Sequence, residues 1–489
     1  MCPEVSSILD DTWARFRAHS RAARPAASRL SDNAWTTVHA FLFSVIGAVL
    51  ASAPAVAGGL VIHNGSPKAI GRAGASTVGD DGAGALLGNP AAIARRDGAR
   101  AQLGFVFVDD ELSWRSSTVG APTARDQAPS STAPYGAAFG SIAGWVIGVG
   151  AMTSSVSDRS WRPPGDVDDP AAIGVAFDYR YVGIAGSARR DTLTIGAARR
   201  FGDSIALGVA LGASRVTLAE VRRVWAGFSG RDVVGSALQD VELGFSGSDW
   251  FAPSAVAGVL VAPDHTPVEF GASVGWAASA HIRADDVSAT GTSGGPSIVN
   301  ASNEGATLEV RQPVTVRVGG RYLRDRFVVE LGGELSIVPA NAAAWVVEGV
   351  RVRDSTGVEV PLSGVPSRVS MRTHGAIRGA VDAELAAGFL WATVGYAYSI
   401  ASVEDRKQSP TFGDLGGHTL GLGVEATAGG FTITLGWSRT WATTRTVATL
   451  QQLDNPFRAG DRTVPRGTYD GSVDQIGILV DAELGAGRR

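Results

Sequence analysis

Two arginines and two glutamates pose the first chemical question in this sequence. In the run from Val314 to Tyr322, Val314, Val316, Val318 and Tyr322 alternate with Thr315, Arg317, Gly319 and Arg321. Both guanidiniums therefore fall on the face opposite the valines. There a guanidinium could hold a ligand's carboxylate through two parallel N–H···O bonds. Glu330 and Glu334 take the equivalent face of the next alternating run, so mutual pairing of the four charges is the competing reading. Further back, Val221, Val224, Trp225 and Phe228 have the spacing of an apolar stripe on a short helix. In a loop over 221–250 such a stripe could receive an apolar ligand, or simply pack onto neighbouring loops.

The remaining reactive types are scattered. His63, His265, His281, His374 and His418 form neither a helical HExxH pair nor another metal-ligand spacing. No GxSxG elbow or phosphate loop precedes a helix. Asp80-Asp81 is a paired carboxylate in a glycine-rich turn, better explained by turn formation or by pairing with Arg72, Arg95 or Arg96. These residues point to no catalytic centre, no metal and no cofactor, and the chain is not expected to be an enzyme.

The elements that carry these residues have a period of two. From Ser204 to Gly212, Ile205, Leu207, Val209 and Leu211 alternate with small residues, and Phe327 to Ile337, His418 to Thr427, Phe431 to Ser438 and Gln475 to Leu484 repeat the pattern. After Ala94 no apolar run is long enough for a membrane-spanning helix. Fourteen strands are expected, near 100–115, 133–140, 144–155, 191–199, 203–220, 251–262, 267–283, 308–323, 326–338, 368–386, 389–402, 417–428, 430–449 and 471–485. Short connections such as Arg324-Asp325 and Ala387-Gly388 alternate with long ones such as 156–190 and 339–367. An outer-membrane barrel has that rhythm, because tight turns lie on its inner side and longer loops outside. Closure of the ring also pairs every backbone polar group in hydrocarbon. Trp114, Trp145, Trp276, Trp391, Trp437 and Trp441 near strand ends fit interfacial girdles.

Composition agrees. The 489 residues are 45% hydrophobic and only 18% charged, with 63 glycines, which suits a chain with an apolar exterior. Ala40 to Gly59 reads as an apolar core followed by Ala55-Val56-Ala57, a small-x-small cleavage pattern, so Met1 to Ala57 is expected to be an export signal. The sole cysteine, Cys2, lies in that leader, leaving a mature chain without disulfides. The mature chain is slightly acidic, which gives no footprint for nucleic acid. Gly58 to Ala94 is glycine- and alanine-rich and turn-dense, too poor in large side chains to fold alone, and must be held inside something else.

The segment running Gly71-Arg72-Ala73-Gly74, Gly79-Asp80-Asp81 and Gly88-Asn89-Pro90-Ala91-Ala92-Ile93 resembles the amino-terminal hatch of the long-chain fatty-acid transporter family of outer-membrane proteins (FadL/TodX type). Further landmarks follow in order: Arg180-Tyr181 before Thr192-Leu193-Thr194, the glycine-rich run Gly416 to Gly423, Asn455-Pro456-Phe457, and Gly467-Thr468-Tyr469. The resemblance implies a monomeric, all-β, fourteen-stranded antiparallel transmembrane barrel over 100–489, plugged by a hatch over 58–99. It further implies passive passage of long-chain fatty acids or other apolar molecules across a bacterial outer membrane. Outer-membrane lipids and a hydrophobic ligand would then be its partners. The ligand would be captured at an outer loop, where the 221–250 stripe lies, and leave sideways through a gap at a kinked strand near the hatch. Asn89, Pro90 and Ala91 match the hatch motif beside that kink. In the third strand Gly144, Gly148 and Gly150 could mark the bend or serve close packing. The end of the chain, Leu484-Gly485-Ala486-Gly487-Arg488-Arg489, departs from the aromatic finish common in such barrels. A general porin, a barrel enzyme and a surface structural protein are the rival expectations.

Overall fold

The structure, a computed structural model, describes residues 66–484 apart from 118–122, 162–178, 229, 234, 339–343, 368–370, 406–407, 448–450, 453–454, 459–462 and 465. The expected leader Met1 to Ala57, the start of the hatch at 58–65, and the tail Gly485 to Arg489 lie outside the described residues.

Fourteen antiparallel strands form one closed ring. They are β1 (Ala99–Ser116), β2 (Ser131–Ile142), β3 (Trp145–Ser160), β4 (Ala185–Phe201), β5 (Ile205–Trp225), β6 (Asp240–Val261) and β7 (Val268–Ala277). The second half comprises β8 (Val314–Arg324), β9 (Phe327–Ile337), β10 (His374–Ala386), β11 (Leu390–Ile400), β12 (Gly416–Ala428), β13 (Phe431–Ala442) and β14 (Gly467–Leu484). Each pairs with the next, and β14 returns to β1 in a ladder running from Ala99↔Leu484 to Ser116↔Gly467. The ring therefore has no open edge that hydrocarbon would leave unpaired.

Alternation sorts the two faces. Leu103, Phe105 and Phe107 on β1, Ile205, Leu207, Val209 and Leu211 on β5, and Ile476 and Val480 on β14 are exposed on the outside, making an apolar belt. Arg100, Gln102, Ala206, Ala210 and Asp481 are buried on the inside. Tight turns join the strands at one end. Ala143-Gly144 and Gly429-Gly430 have positive φ at both positions, the two-residue turn whose twist matches a hairpin. Trp145, Trp276 and Trp441 are exposed as expected of a girdle, but Trp114 is buried, packed with Tyr179 and Tyr469.

The long-loop end differs from the sequence expectation. The segment with Val221, Val224 and Trp225 is not a helix: β5 continues through it, paired with the start of β6 from Val216↔Asp249 to Trp225↔Asp240. An i, i+3, i+4, i+7 pattern arose because apolar residues occupy both faces of this strand extension, which rises beyond the belt. Beside it a further strand, Ala280–Gly291, prolongs β7 and pairs with β6. Strands Thr307–Val310, Ala344–Val346 and Val365–Pro366 carry the sheet on. These extensions and their loops share an apolar core that includes Val224, Leu243, Phe245, Ile282, Leu308, Trp345, Val352 and Phe457. In it Phe245 stacks on Trp345 with centroids 5.0 Å apart.

Candidate functional site

Residues 66–96 form α1 (Pro67–Gly71), α2 (Ala83–Leu87) and a 3-10 helix (Pro90–Arg95), and they touch the inward side of the ring nearly all the way round. Ser66 caps α1, its side chain accepting from Ala69 N; Asn89 caps the 3-10 helix, its Oδ1 accepting from Ala91 N. Helices this short are held by their surroundings. Strand glycines make the contact possible. A Cβ on Gly208 of β5 would lie 2.4 Å from Ala91 N, and one on Gly395 of β11 would lie 2.2 Å from the Arg72 carbonyl carbon.

Charge fixes the segment as firmly as fit does. The Arg72 guanidinium donates to Asp382 of β10 and Glu330 of β9, each at 2.5 Å, and Glu330 also accepts from Val78 N at 2.8 Å. Arg95 grips Glu269 of β7 through two bonds of 2.8 and 2.7 Å, while Arg96 reaches Asp481 and Glu483 of β14. Lys68 lies 3.3 Å from Glu425 of β12. Each of these four segment cations thus meets a wall carboxylate, and the anchors are spread over opposite sides of the ring.

The arginines of β8 take part in the same network. Arg317 donates to Glu334 at 2.7 Å and to the Leu87 carbonyl at 3.3 Å, and Arg321 lies 3.6 Å from Glu269. Mutual pairing with Glu334 agrees with the sequence, but Glu330 serves Arg72 of the segment rather than Arg321. Asp81 lies 4.0 Å from Arg100 of β1, and Asp80 holds Gly82 N at 2.9 Å in a turn.

Asn89, Pro90 and Ala91 are fully enclosed. Asn89 Nδ2 donates to Thr77 O at 3.0 Å and to Val259 O of β6 at 3.1 Å. The three lie against β5, β6 and β7 rather than beside a kink in β3. What meets β3 is Leu86, whose methyls contact Gly148 and Gly150. Those two glycines make room first for the wall's own Phe139 ring and Met152 methyl and then for Leu86, and Gly144 serves a turn. The irregularity in β3 lies higher, as a bulge between Thr153 and Ser155.

That bulge borders an interruption in the wall. The β2–β3 ladder ends at Tyr135↔Met152. Beyond it β2 still pairs with β1 as far as Val108↔Ser131, and β3 still pairs with β4 as far as Ser160↔Ala185. The two strands meet again where Gln127 N donates to Ser160 O and Ser160 N to Asp126 Oδ1. Pro129 and Pro134 in this stretch bring no N–H to any ladder. Behind the interruption Ile70 of α1 packs with Val106, Val108, Ala133 and Val156.

At the long-loop end, Val224 and Trp225 are buried, Val221 is half-buried, and Phe228 is exposed with the Arg458 guanidinium 4.7 Å from its ring centroid. Arg222, on the same face as Leu218 and Val224, is 2% exposed and opposite Leu243. Its Nη1 lies 3.7 Å from Glu220, and its Nε and Nη2 have no hydrogen-bond partner. Arg222 did not stand out in the sequence because Val221, Val224, Trp225 and Phe228 around it have helical spacing, which hides that it shares a strand face with Leu218 and Val224. The landmark Arg180-Tyr181 clamps Asp240 at the start of β6, with bonds of 2.8 and 2.6 Å, and Asn455 donates to Gly227 O at 3.2 Å.

No known sequence family matches the chain, and no curated protein does. Solved structures do. A Pseudomonas aeruginosa FadL homologue aligns with TM-score 0.63 at 13% identity, over 87% of this chain and 99% of that one. The P. putida toluene transporter TodX aligns with TM-score 0.60 at 12% identity, over 87% and 98%. The Ralstonia pickettii toluene transporter TbuX gives 0.55 at 14%, over 85% and 97%. The fold is that of the FadL/TodX-type outer-membrane channels.

Proposed function

We propose that this chain is a passive channel for hydrophobic small molecules, long-chain fatty acids or hydrocarbons, in a bacterial outer membrane. Met1 to Ala57 is its export signal, 58–99 its hatch and 100–489 its barrel, acting as a monomer. The hatch closes the lumen to water. A solute enters among the long loops and leaves through the wall into lipid. The observation that carries this reading is the β2–β3 interruption, which stands beside an apolar belt outside and the Ile70 cluster inside. A general porin would need an open lumen, and the contacts of residues 66–96 with the inner wall support a plugged one.

Capture falls to the long-loop end, where Phe228 is exposed next to Val221, Val224 and Trp225. There the free donors of Arg222 suit a ligand carboxylate. Arg317 and Arg321 would meet such a carboxylate only in competition with Glu334 and Glu269. Asn89, Pro90 and Ala91 seat the hatch. Uptake of labelled fatty acids and aromatic hydrocarbons into vesicles is the test. The intact chain should accelerate uptake without an energy source, and replacing Asn89 and Pro90 by alanine should lower it while the barrel stays folded. No acceleration of any apolar solute would reject the reading.

A further inference from the structure

Arg189 of β4 reaches across β3 to the far side of the interruption. Its Nε is held by both oxygens of Asp191 at 3.0 Å, Nη2 donates to Thr153 Oγ1 at 2.9 Å, and Nη1 donates to the Thr132 carbonyl of β2 at 3.0 Å. Thr153 Oγ1 in turn donates to Asp191 at 2.6 Å. One side chain therefore ties three consecutive strands at the place where backbone bonds between two of them are missing. Arg189 has the parity of the outward Leu193 and Ile195, so the strap crosses the outer surface. Thr132 is level with Phe107, the last apolar outward residue of β1 before Asp109, so the strap sits at the upper edge of the belt. In the register Arg189 stands opposite Val156, a member of the apolar cluster that also holds Ile70 of α1.

We propose that Arg189 is the latch of a lateral opening between β2 and β3. With the strap in place, the Thr132 carbonyl is satisfied and the wall is shut over Val156. When the guanidinium lets go, residues 128–134 and 153–159 have no ladder to hold them together, and the apolar space in front of Ile70 communicates with lipid. Most of the wall cannot open this way, because separating two strands there breaks a full ladder. Here the barrier on the outer face is the few charge-assisted bonds of one partly exposed side chain, while at the upper end the buried Arg159 of β3 pairs with Asp110 of β1 at 2.6 Å. This inference rests on the sideways-exit reading above and assigns its control to a particular residue.

The test uses the full chain in vesicles, with Cys2 replaced by serine in every variant. Arg189→Ala should raise the rate of fatty-acid and hydrocarbon uptake by roughly tenfold, the scale of a lost charged hydrogen bond. Asp191→Asn, which loosens the strap without shortening it, should raise the rate by less. In parallel, Thr132→Cys with Ser155→Cys, joined by a short thiol cross-linker, should stop uptake, and the same pair left unlinked should not. If linking leaves uptake intact, the sideways exit itself is wrong. If linking stops uptake but both strap variants transport at the original rate or slower, exit is sideways and Arg189 is not its latch. Should Arg189→Ala fail to assemble, judged by heat-modifiable migration, Asp191→Asn alone decides.

Discussion

Arg72 and Arg222 are both buried arginines that differ in how fully the protein pairs their guanidiniums. Arg72 has two carboxylates and the Ala75 carbonyl on its guanidinium, so its charge is used up within the protein. Arg222 has one acceptor at 3.7 Å and two donors idle among apolar side chains. An idle buried donor is costly to the fold, by about 1–3 kcal/mol, and is retained most readily where a ligand supplies the missing acceptor. Replacing Arg222 by alanine should therefore weaken binding of long-chain carboxylates by roughly tenfold or more. Binding of neutral hydrocarbons should change little. Equilibrium binding of a fatty acid and of its methyl ester to the purified protein checks this, and equal losses for both would remove Arg222 from ligand recognition.

At the scale of elements, residues 66–96 and the wall are fitted to one another through glycine on one side and salt bridges on the other. Gly208, Gly395, Gly421 and Gly436 leave room for the backbone of residues 67–91. A side chain at such a position should dislodge the hatch and spare the barrel. Gly395→Val places carbon where the Arg72 backbone lies, so the variant should still migrate as a folded barrel yet pass ions in a planar bilayer. A variant as tightly closed as the original would show that the hatch does not seal the lumen. The strands themselves were legible, because alternation of bulky and small residues sets their register against lipid. Long-loop elements were not. In β5 above Ser214 both faces meet protein, Leu218 and Val224 on one and Val221 and Trp225 on the other, and alternation disappears with the lipid that imposed it. The place of Asn89-Pro90-Ala91 was also out of reach, since which strands a buried turn faces depends on contacts 170 residues away, such as Asn89 with Val259.

Taken whole, the described residues make a closed antiparallel ring with an apolar exterior, a segment salt-bridged to its inner side, and a break in its wall crossed on the outer face by Arg189. Of the site, the pairing of Arg317 with Glu334 followed from alternation, because facing strands put those charges on one side. The break did not: only Pro129 and Pro134 marked it in the sequence, and proline alone does not say which neighbour loses its ladder. The account stands or falls on whether solutes pass through the wall or along the axis. A long-chain fatty acid carrying a photoreactive group near its tail, activated during transport and mapped by mass spectrometry, reads this directly. Labels should concentrate on 128–134 and 153–159 and on Ile70 behind them. Labelling confined to the loops and to the tight-turn end of the lumen, with the β2–β3 segment untouched, would contradict the account.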